Sequence, residues 1–217
     1  MTFGAASFAT WLDPRRTALL IVDVQVDFAS PEGVMGRAGV DLSAVPAALD
    51  AAERLAIGAR AAGIPVVFTQ LVTRPETDSA AWNERFRRRG LDPVDAAALC
   101  RAGDPGCDFV GPGPAPGDLV IAKTRYSGFF GTDLADQLRR RGVDTLVICG
   151  LTTECCVDST VRDAFQQDFH VFLAPDACAA YEPDLHAGAL KALDLNCAIL
   201  AHSPAILPAW TGAPRPH

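Results

Sequence analysis

Six short runs rich in Val, Ile and Leu punctuate the chain: "TALLIVDV" (17–24), "PVVFTQLV" (65–72), "DLVIAK" (118–123), "DTLVICG" (144–150), "HVFLAP" (170–175) and "NCAILA" (196–201). Near-continuous apolar runs, rather than alternating ones, mark strands covered on both faces. The stretches between them are longer and amphipathic. The pattern therefore predicts an α/β fold, a three-layer sandwich with a six-stranded, mainly parallel sheet and helices on both faces. "SAVPAALDAAERLAIGARAAG" reads as the first crossover helix, with Ser43 capping its start and Gly63 its end. "TDLADQLRRRG" follows the same grammar, with Thr132 as cap, acidic residues early, arginines late and Gly142 as stop. Residues 73–117 are less regular and end in "GPGPAPG". Their length predicts an excursion over the sheet edge within a single domain spanning 1–217.

Composition removes several functions. Hydrophobic residues make up 49% of the 217 against 21% charged, yet no apolar run approaches the ~20 residues that cross a bilayer. The amino-terminal "MTFGAASFATWLDPRR" has neither a basic region followed by an apolar core nor a lipidation signal, so a cytoplasmic protein without membrane partners is expected. A net charge of −7 opposes nucleic-acid binding, and "RFRRRG" and "RRRG" read as solvated helix ends. Seven scattered cysteines, and four histidines none of which precedes residue 170, suggest neither a disulfide scaffold nor a zinc site. The three prolines of "GPGPAPG" supply no N–H, so it is a stiff linker rather than a phosphate cradle. No G-x-G-x-x-G follows the first strand, and no dinucleotide cofactor is expected.

In open parallel sheets, sites form at the carboxyl ends of the strands. Asp23 closes "LLIVD", Lys123 closes "DLVIAK", and Cys155 and Cys156 open the helix after "TLVICG". A thiol at a helix amino terminus, near an ammonium and an aspartate able to move its proton, suits acyl transfer. Each residue also has an ordinary reading: a strand-end Asp caps turns, a strand-end Lys faces water, and Cys is common in cores. Helical periodicity does not choose between the two sulfurs, because Val157, Val161, Ala164 and Phe165 share a face that includes neither.

Through "LLIVDVQVDF", "KTRYSGFFGTDL" and "GLTTECCVDSTVRDAF", the sequence resembles the isochorismatase-like cysteine hydrolases over about residues 15–202. The resemblance implies that family's Rossmann-like fold and a triad of Asp23 as general base and acid, Lys123 as charge stabiliser and Cys156 as nucleophile. Gly150, Leu151, Thr153, Cys156 and Val157 align with the family motif, which leaves Cys155 on a variable position. It also implies a cis peptide between Leu151 and Thr152, and an oxyanion hole made by the N–H groups of Thr152 and Cys156.

Departures from relatives narrow the expectation. Isochorismatase proper cleaves a vinyl ether without this cysteine, and nicotinamidases hold a metal with an Asp and histidines, whereas "TQLVTRPETDSAAW" has no histidine. What the resemblance then implies is a metal-free, cofactor-free amidohydrolase. It cleaves a small carbamoyl or ureido substrate, of the ureidoacrylate, biuret or N-carbamoylsarcosine kind, through a thioester with release of ammonia. Gln25, Phe28, Trp82, Tyr126 and Phe129 are candidates for the pocket wall, and Arg74 and Arg125 for anchoring a substrate carboxylate. A homo-oligomer, dimer or tetramer, is expected. The alternatives are a nicotinamidase-like or maleamate-like amidase, an inactive binding or scaffold member of the fold, and a thiol redox protein. Adjacent cysteines and the absence of C-x-x-C disfavour the last.

Overall fold

The two most continuous apolar runs become the two central strands, β1 (Thr17–Val22) and β4 (Thr145–Leu151), and every residue of both is buried. In the computed structural model, which describes residues 5–211, the two strands pair in parallel from Thr17 opposite Thr145 to Val22 opposite Gly150. Beyond β1 lie β2 (Val66–Leu71) and then β3 (Leu119–Lys123). Beyond β4 lie β5 (His170–Ala179) and β6 (Ile199–Leu200). The order is β3-β2-β1-β4-β5-β6 and every neighbouring pair is parallel. The chain winds outward from β1 to β3, then returns to β4 and winds the other way. The β1–β4 junction is thus the topological switch point, where a crevice opens at the carboxyl ends. There the two strands come so close that a Cβ on Gly150 would meet the Val22 carbonyl oxygen, and Gly150 has φ 120°. A residue without a side chain is required at that point.

Helices flank the sheet. α1 (Ala5–Trp11) precedes β1; α2 (Val26–Ala29), α3 (Val34–Arg37) and α4 (Val45–Ala61) lie between β1 and β2. α4 buries Val45, Ala48, Ala51, Ala52, Leu55, Ala56 and Ala59, the three-and-four spacing of a helix with one apolar stripe. It ends as expected, with Gly63 at φ 74° and the N–H groups of Gly63 and Ile64 returning to the carbonyls of Arg60 and Ala59. Its start differs. The cap position is Ala44, with no side-chain cap, and the Ser43 N–H is taken by the Asp41 carboxylate at 2.8 Å. Ser43 is therefore a turn residue one position too early to cap.

The remaining helices are α5 (Ala80–Arg88) and α6 (Pro93–Ala96) between β2 and β3, α7 (Leu134–Arg140), α8 (Asp158–Gln166), α9 (Pro183–Asn196) and α10 (Ser203–Thr211). α7 ends at Gly142 (φ 73°) as expected, but its cap position is Asp133. The Thr132 hydroxyl instead donates to the Gly128 carbonyl and receives the Leu134 N–H at 3.4 Å. The arginines of "RFRRRG" and "RRRG" sit in the last turns of α5 and α7.

The last two strands depart most from the apolar pattern. β5 runs four residues past Pro175, through a register shift against β4 between Ile148 and Gly150. Asp176, inside it, receives the Ser203 N–H and hydroxyl at the start of α10. β6 shrinks to two residues because α9 continues through Asn196.

The 73–117 segment does not stay at the edge. It crosses the carboxyl ends to reach the loop after β1 through a bridge between Phe109 and Gln25, and a second bridge, between Thr73 and Arg101, ties the segment to itself. Asp27, buried in α2, fastens it by accepting the N–H of Cys100 (2.6 Å), and its other oxygen accepts the N–H of Val34 at the start of α3 (3.0 Å). Asp78 holds Arg101 through two bonds of 3.1 and 2.6 Å. Residues 1–4, part of the stretch read as neither signal nor anchor, and 212–217, part of the expected single domain, lie outside the described residues. Among the described residues no helix is long and apolar enough to cross a membrane.

Candidate active site

β1 ends at Val22, and Asp23 immediately turns the chain with φ 48°, a conformation uncommon for a residue with a side chain. Its carboxylate is fully buried at the switch point. One oxygen, Oδ1, receives the hydroxyl of Thr69 from β2 at 2.7 Å, and Oδ2 lies 2.6 Å from the Nζ of Lys123. Lys123 closes β3 opposite Leu71 of β2, so its long stem spans the end of β2 to reach β1. The same ammonium donates to the Arg125 carbonyl at 2.9 Å and lies 3.7 Å from the Sγ of Cys156. A single buried cation thus links the carboxylate after β1 to the thiol after β4. This contact separates the two sulfurs: it is Cys156, 4% exposed, that Lys123 touches, while Cys155 is half-buried.

The chain leaves β4 through a cis peptide between Leu151 and Thr152 and enters a wide turn, Thr153–Val157, before α8. The Thr152 carbonyl receives the N–H groups of Cys155 and Val157, those on either side of Cys156. The Cys156 carbonyl accepts the Thr160 hydroxyl at 2.6 Å.

The charges act on one another. Burial, the largest single influence, works to lower the Lys123 ammonium, but the Asp23 carboxylate and the Cys156 sulfur together outweigh it and the net direction is upward. Lys123 is therefore a fixed cation and cannot serve as a base near neutrality. The Cys155 thiol, burial and the Asp23 carboxylate push the Cys156 thiol well up, opposed by Lys123. The same contact lowers Cys155, so the two thiols titrate as a pair. Cys156 therefore rests as a thiol, and forming its thiolate requires its proton to move to a nearby acceptor.

The other residues divide. Trp82, Arg125 and Tyr126 form one cluster: the Trp82 and Tyr126 rings lie 5.5 Å apart, and the Arg125 guanidinium sits 5.5 Å over Trp82 while donating to the carbonyls of Thr124 and Thr77. The Arg125 carbonyl shares the Lys123 ammonium with the Cys156 sulfur, which places this cluster beside the thiols, and burial, then Cys155, raises the Tyr126 hydroxyl. Arg74 is exposed. Phe28 is buried, and its carbonyl receives the Tyr181 hydroxyl at 2.9 Å. Two further candidates make structural contacts. The Gln25 amide is fully used, donating to the carbonyls of Leu71 and Cys107 and accepting the Leu71 N–H; it staples strand ends rather than facing a ligand. Phe129 packs against Phe169 at 5.8 Å and is a core contact.

The sequence reading passed over Thr69 and Asp27. Thr69 is a buried hydroxyl in a strand whose other polar residue is Gln70, which was a usable signal. Asp27 carried none, because its partners lie 7 and 73 residues away. Among the described residues no group of three or more His, Cys, Asp or Glu side chains comes together to hold a metal ion. A groove of about 620 Å³, lined by Trp11, Asp144, Phe169, His170 and Leu195 among others, opens at the amino ends of the strands, opposite the buried charges.

The isochorismatase domain family matches residues 17–204. The chain is 37% identical over 193 residues to the ureidoacrylate amidohydrolase RutB of Methylobacterium radiotolerans, covering 84% of this chain and 75% of that one. Among solved structures, a cysteine hydrolase from Pseudomonas syringae superposes with a TM-score of 0.80 at 25% identity, over 93% of this chain and 95% of the other. N-carbamoylsarcosine amidase from Thermoplasma acidophilum does so with a TM-score of 0.68 at 26% identity, over 87% and 96%.

Proposed function

The chain belongs to the isochorismatase family, and from that premise we propose that it is a cysteine amidohydrolase cleaving the C–N bond of a small ureido or carbamoyl substrate. The observation that carries this reading is the contact of one buried ammonium with both the Asp23 carboxylate and the Cys156 sulfur. The Cys156 thiol passes its proton to Asp23 as the sulfur attacks the carbonyl carbon, and Lys123 steadies both charges. The C=O pair moves onto oxygen, where the N–H groups of Thr152 and Cys156 receive it. Collapse expels the amine nitrogen, which takes the proton from Asp23 and leaves as ammonia, with the acyl group held as a thioester. Asp23 then takes a proton from attacking water and returns it to sulfur as the acid departs.

The similarity to a ureidoacrylate amidohydrolase and an N-carbamoylsarcosine amidase supports the substrate class, and the Trp82, Arg125 and Tyr126 cluster supplies a wall for it. We propose Arg125 and exposed Arg74 as the cations that meet a substrate carboxylate. We assign the whole chain to one domain acting without metal or cofactor in the cytoplasm, where seven free thiols persist. We further assign it to a homo-oligomer, dimer or tetramer.

Ammonia release from ureidoacrylate, biuret, N-carbamoyl amino acids, maleamate and nicotinamide, assayed side by side, tests the substrate class. A ureido or carbamoyl compound should have the highest kcat/KM, and nicotinamide leading by tenfold would overturn it. Cys156→Ser should abolish release while Cys155→Ser largely keeps it. Activity should survive dialysis against a chelator; loss reversed by zinc, iron or manganese would refute the metal-free reading.

A further inference from the structure

The carbonyl-binding turn is held by two side chains to which the mechanism assigns no step. Thr152 and Thr153, the residues between the cis peptide and the cysteines, are both buried, and each hydroxyl meets a titratable partner. The Thr152 hydroxyl donates to Oε1 of Glu154 at 3.0 Å, and the Thr153 hydroxyl is hydrogen-bonded to Nδ1 of His186 at 2.8 Å. Glu154 belongs to the turn itself, whereas His186 reaches in from α9, which packs against the turn. The second oxygen of Glu154 is buried with no hydrogen-bond partner among the described residues. Such an oxygen is costly, and a neutral residue would fill the space at less expense to stability. A carboxylate in that position calls for a reason other than folding.

Resting on the amidohydrolase reading above, we propose that Glu154 and His186 are positioning residues for the oxyanion-binding turn, setting the direction of the Thr152 N–H through the two threonine hydroxyls. Neither touches the reacting atoms. Glu154 fixes the rotation of Thr152 from within the turn, and His186 anchors Thr153 to a helix that does not carry the nucleophile. A donor stabilises a developing oxyanion only when it is already aimed at the position that oxygen will occupy. Loosening either hydroxyl therefore weakens the transition state more than the bound substrate, and leaves the thiol chemistry intact.

That separation gives the test. In the purified full chain, Glu154→Ala and His186→Ala should each lower kcat by about ten- to a hundredfold, less than the loss from removing an oxyanion donor outright, with KM within about threefold. Alkylation of Cys156 by iodoacetamide, which builds no oxyanion, should stay within about twofold of wild type. Glu154→Gln keeps an acceptor for the Thr152 hydroxyl, and His186→Asn keeps a polar atom near the position of Nδ1, so both should recover most of kcat. Unchanged kcat in the alanine variants, or equal losses of kcat and alkylation, would overturn the proposal; the second would mean that the pair merely holds the fold. Failure of the conservative variants to recover kcat would also count against it. The underlying reading fails differently: in wild type releasing no ammonia from any substrate, or in Cys156→Ser remaining active.

Discussion

Two ion pairs stand at opposite ends of β1, seven residues apart along the chain. At the amino end Arg16 meets Asp144, with side chains 61% and 33% exposed. At the carboxyl end Asp23 meets Lys123, and both side chains are 0% exposed. The chemistry of pairing is the same, yet its physical meaning is not. The exposed pair is solvated with or without its partner, so its contribution lies near 0–1 kcal/mol. Burying the other pair removes two hydration shells at a cost of several kcal/mol per ion, offset only by mutual attraction and added hydrogen bonds. Asp23 gains one from Thr69, and Lys123 gives one to the Arg125 carbonyl. An apolar pair would fold as well or better, so the charges at the carboxyl end point to chemistry.

Removing one partner from the buried pair gives the largest expected effect. Lys123→Ala leaves Asp23 buried without a counter-charge and should cost about 3–5 kcal/mol of stability, read from urea denaturation. It should also lower turnover about a thousandfold or more, since members of a catalytic unit act together. Replacing both, Asp23→Leu with Lys123→Met, should restore much of the stability and none of the turnover. A double variant as unstable as Lys123→Ala would mean that the pair is structural.

The same contrast appears against pH. The folded Lys123 lies above its ordinary 10.5, burial opposing and Asp23 together with Cys156 prevailing. Its stabilising contribution is therefore complete below the unfolded value and is lost as pH rises through the folded one. The stability difference between wild type and Lys123→Met should hold steady from pH 7 to 9 and change only above 10.5. A change within the lower range would show that another group dominates.

Asp27 sharpens the comparison, because it is a buried carboxylate at the same end without a cation in its hydrogen-bond set. Asp27→Ala leaves the Cys100 and Val34 N–H groups unmet and should cost about 1–3 kcal/mol. Faster proteolysis within residues 85–103 would accompany it. Equal cleavage in both proteins would mean that the excursion is held elsewhere. Smallest of all, Arg16→Ala should shift stability by no more than about 1 kcal/mol, with unchanged kcat and a difference that shrinks in salt. A loss approaching that of Lys123→Ala would erase the distinction between the two ends.

Much of the fold was readable because burial on both faces leaves no room for alternation. β1, β2, β3 and β4 lie within two residues of their apolar runs, and Gly63 and Gly142 stop their helices where a positive φ is needed. The reading weakened where partners are distant. Nothing local marks Asp176 as a strand residue, since what it binds is Ser203 at the start of α10. Gln25 had the polarity of a pocket residue and Phe129 the bulk of one, but contacts with Cys107 and Phe169 commit both to structure.

The site divides along the same line. Sequence alone placed an aspartate, a lysine and a cysteine pair at the ends of three strands, because a strand's apolar run has a definite end and the residue there is local information. Which sulfur faces the lysine, how far the stem of Lys123 must reach over β2, and whether Cys156 rests as thiol or thiolate depend on strand order and on the depth at which the charges are buried. Those are sums over residues far apart in the chain. Only the assembled sheet, with β1 beside β4 and water excluded between them, assigns them values.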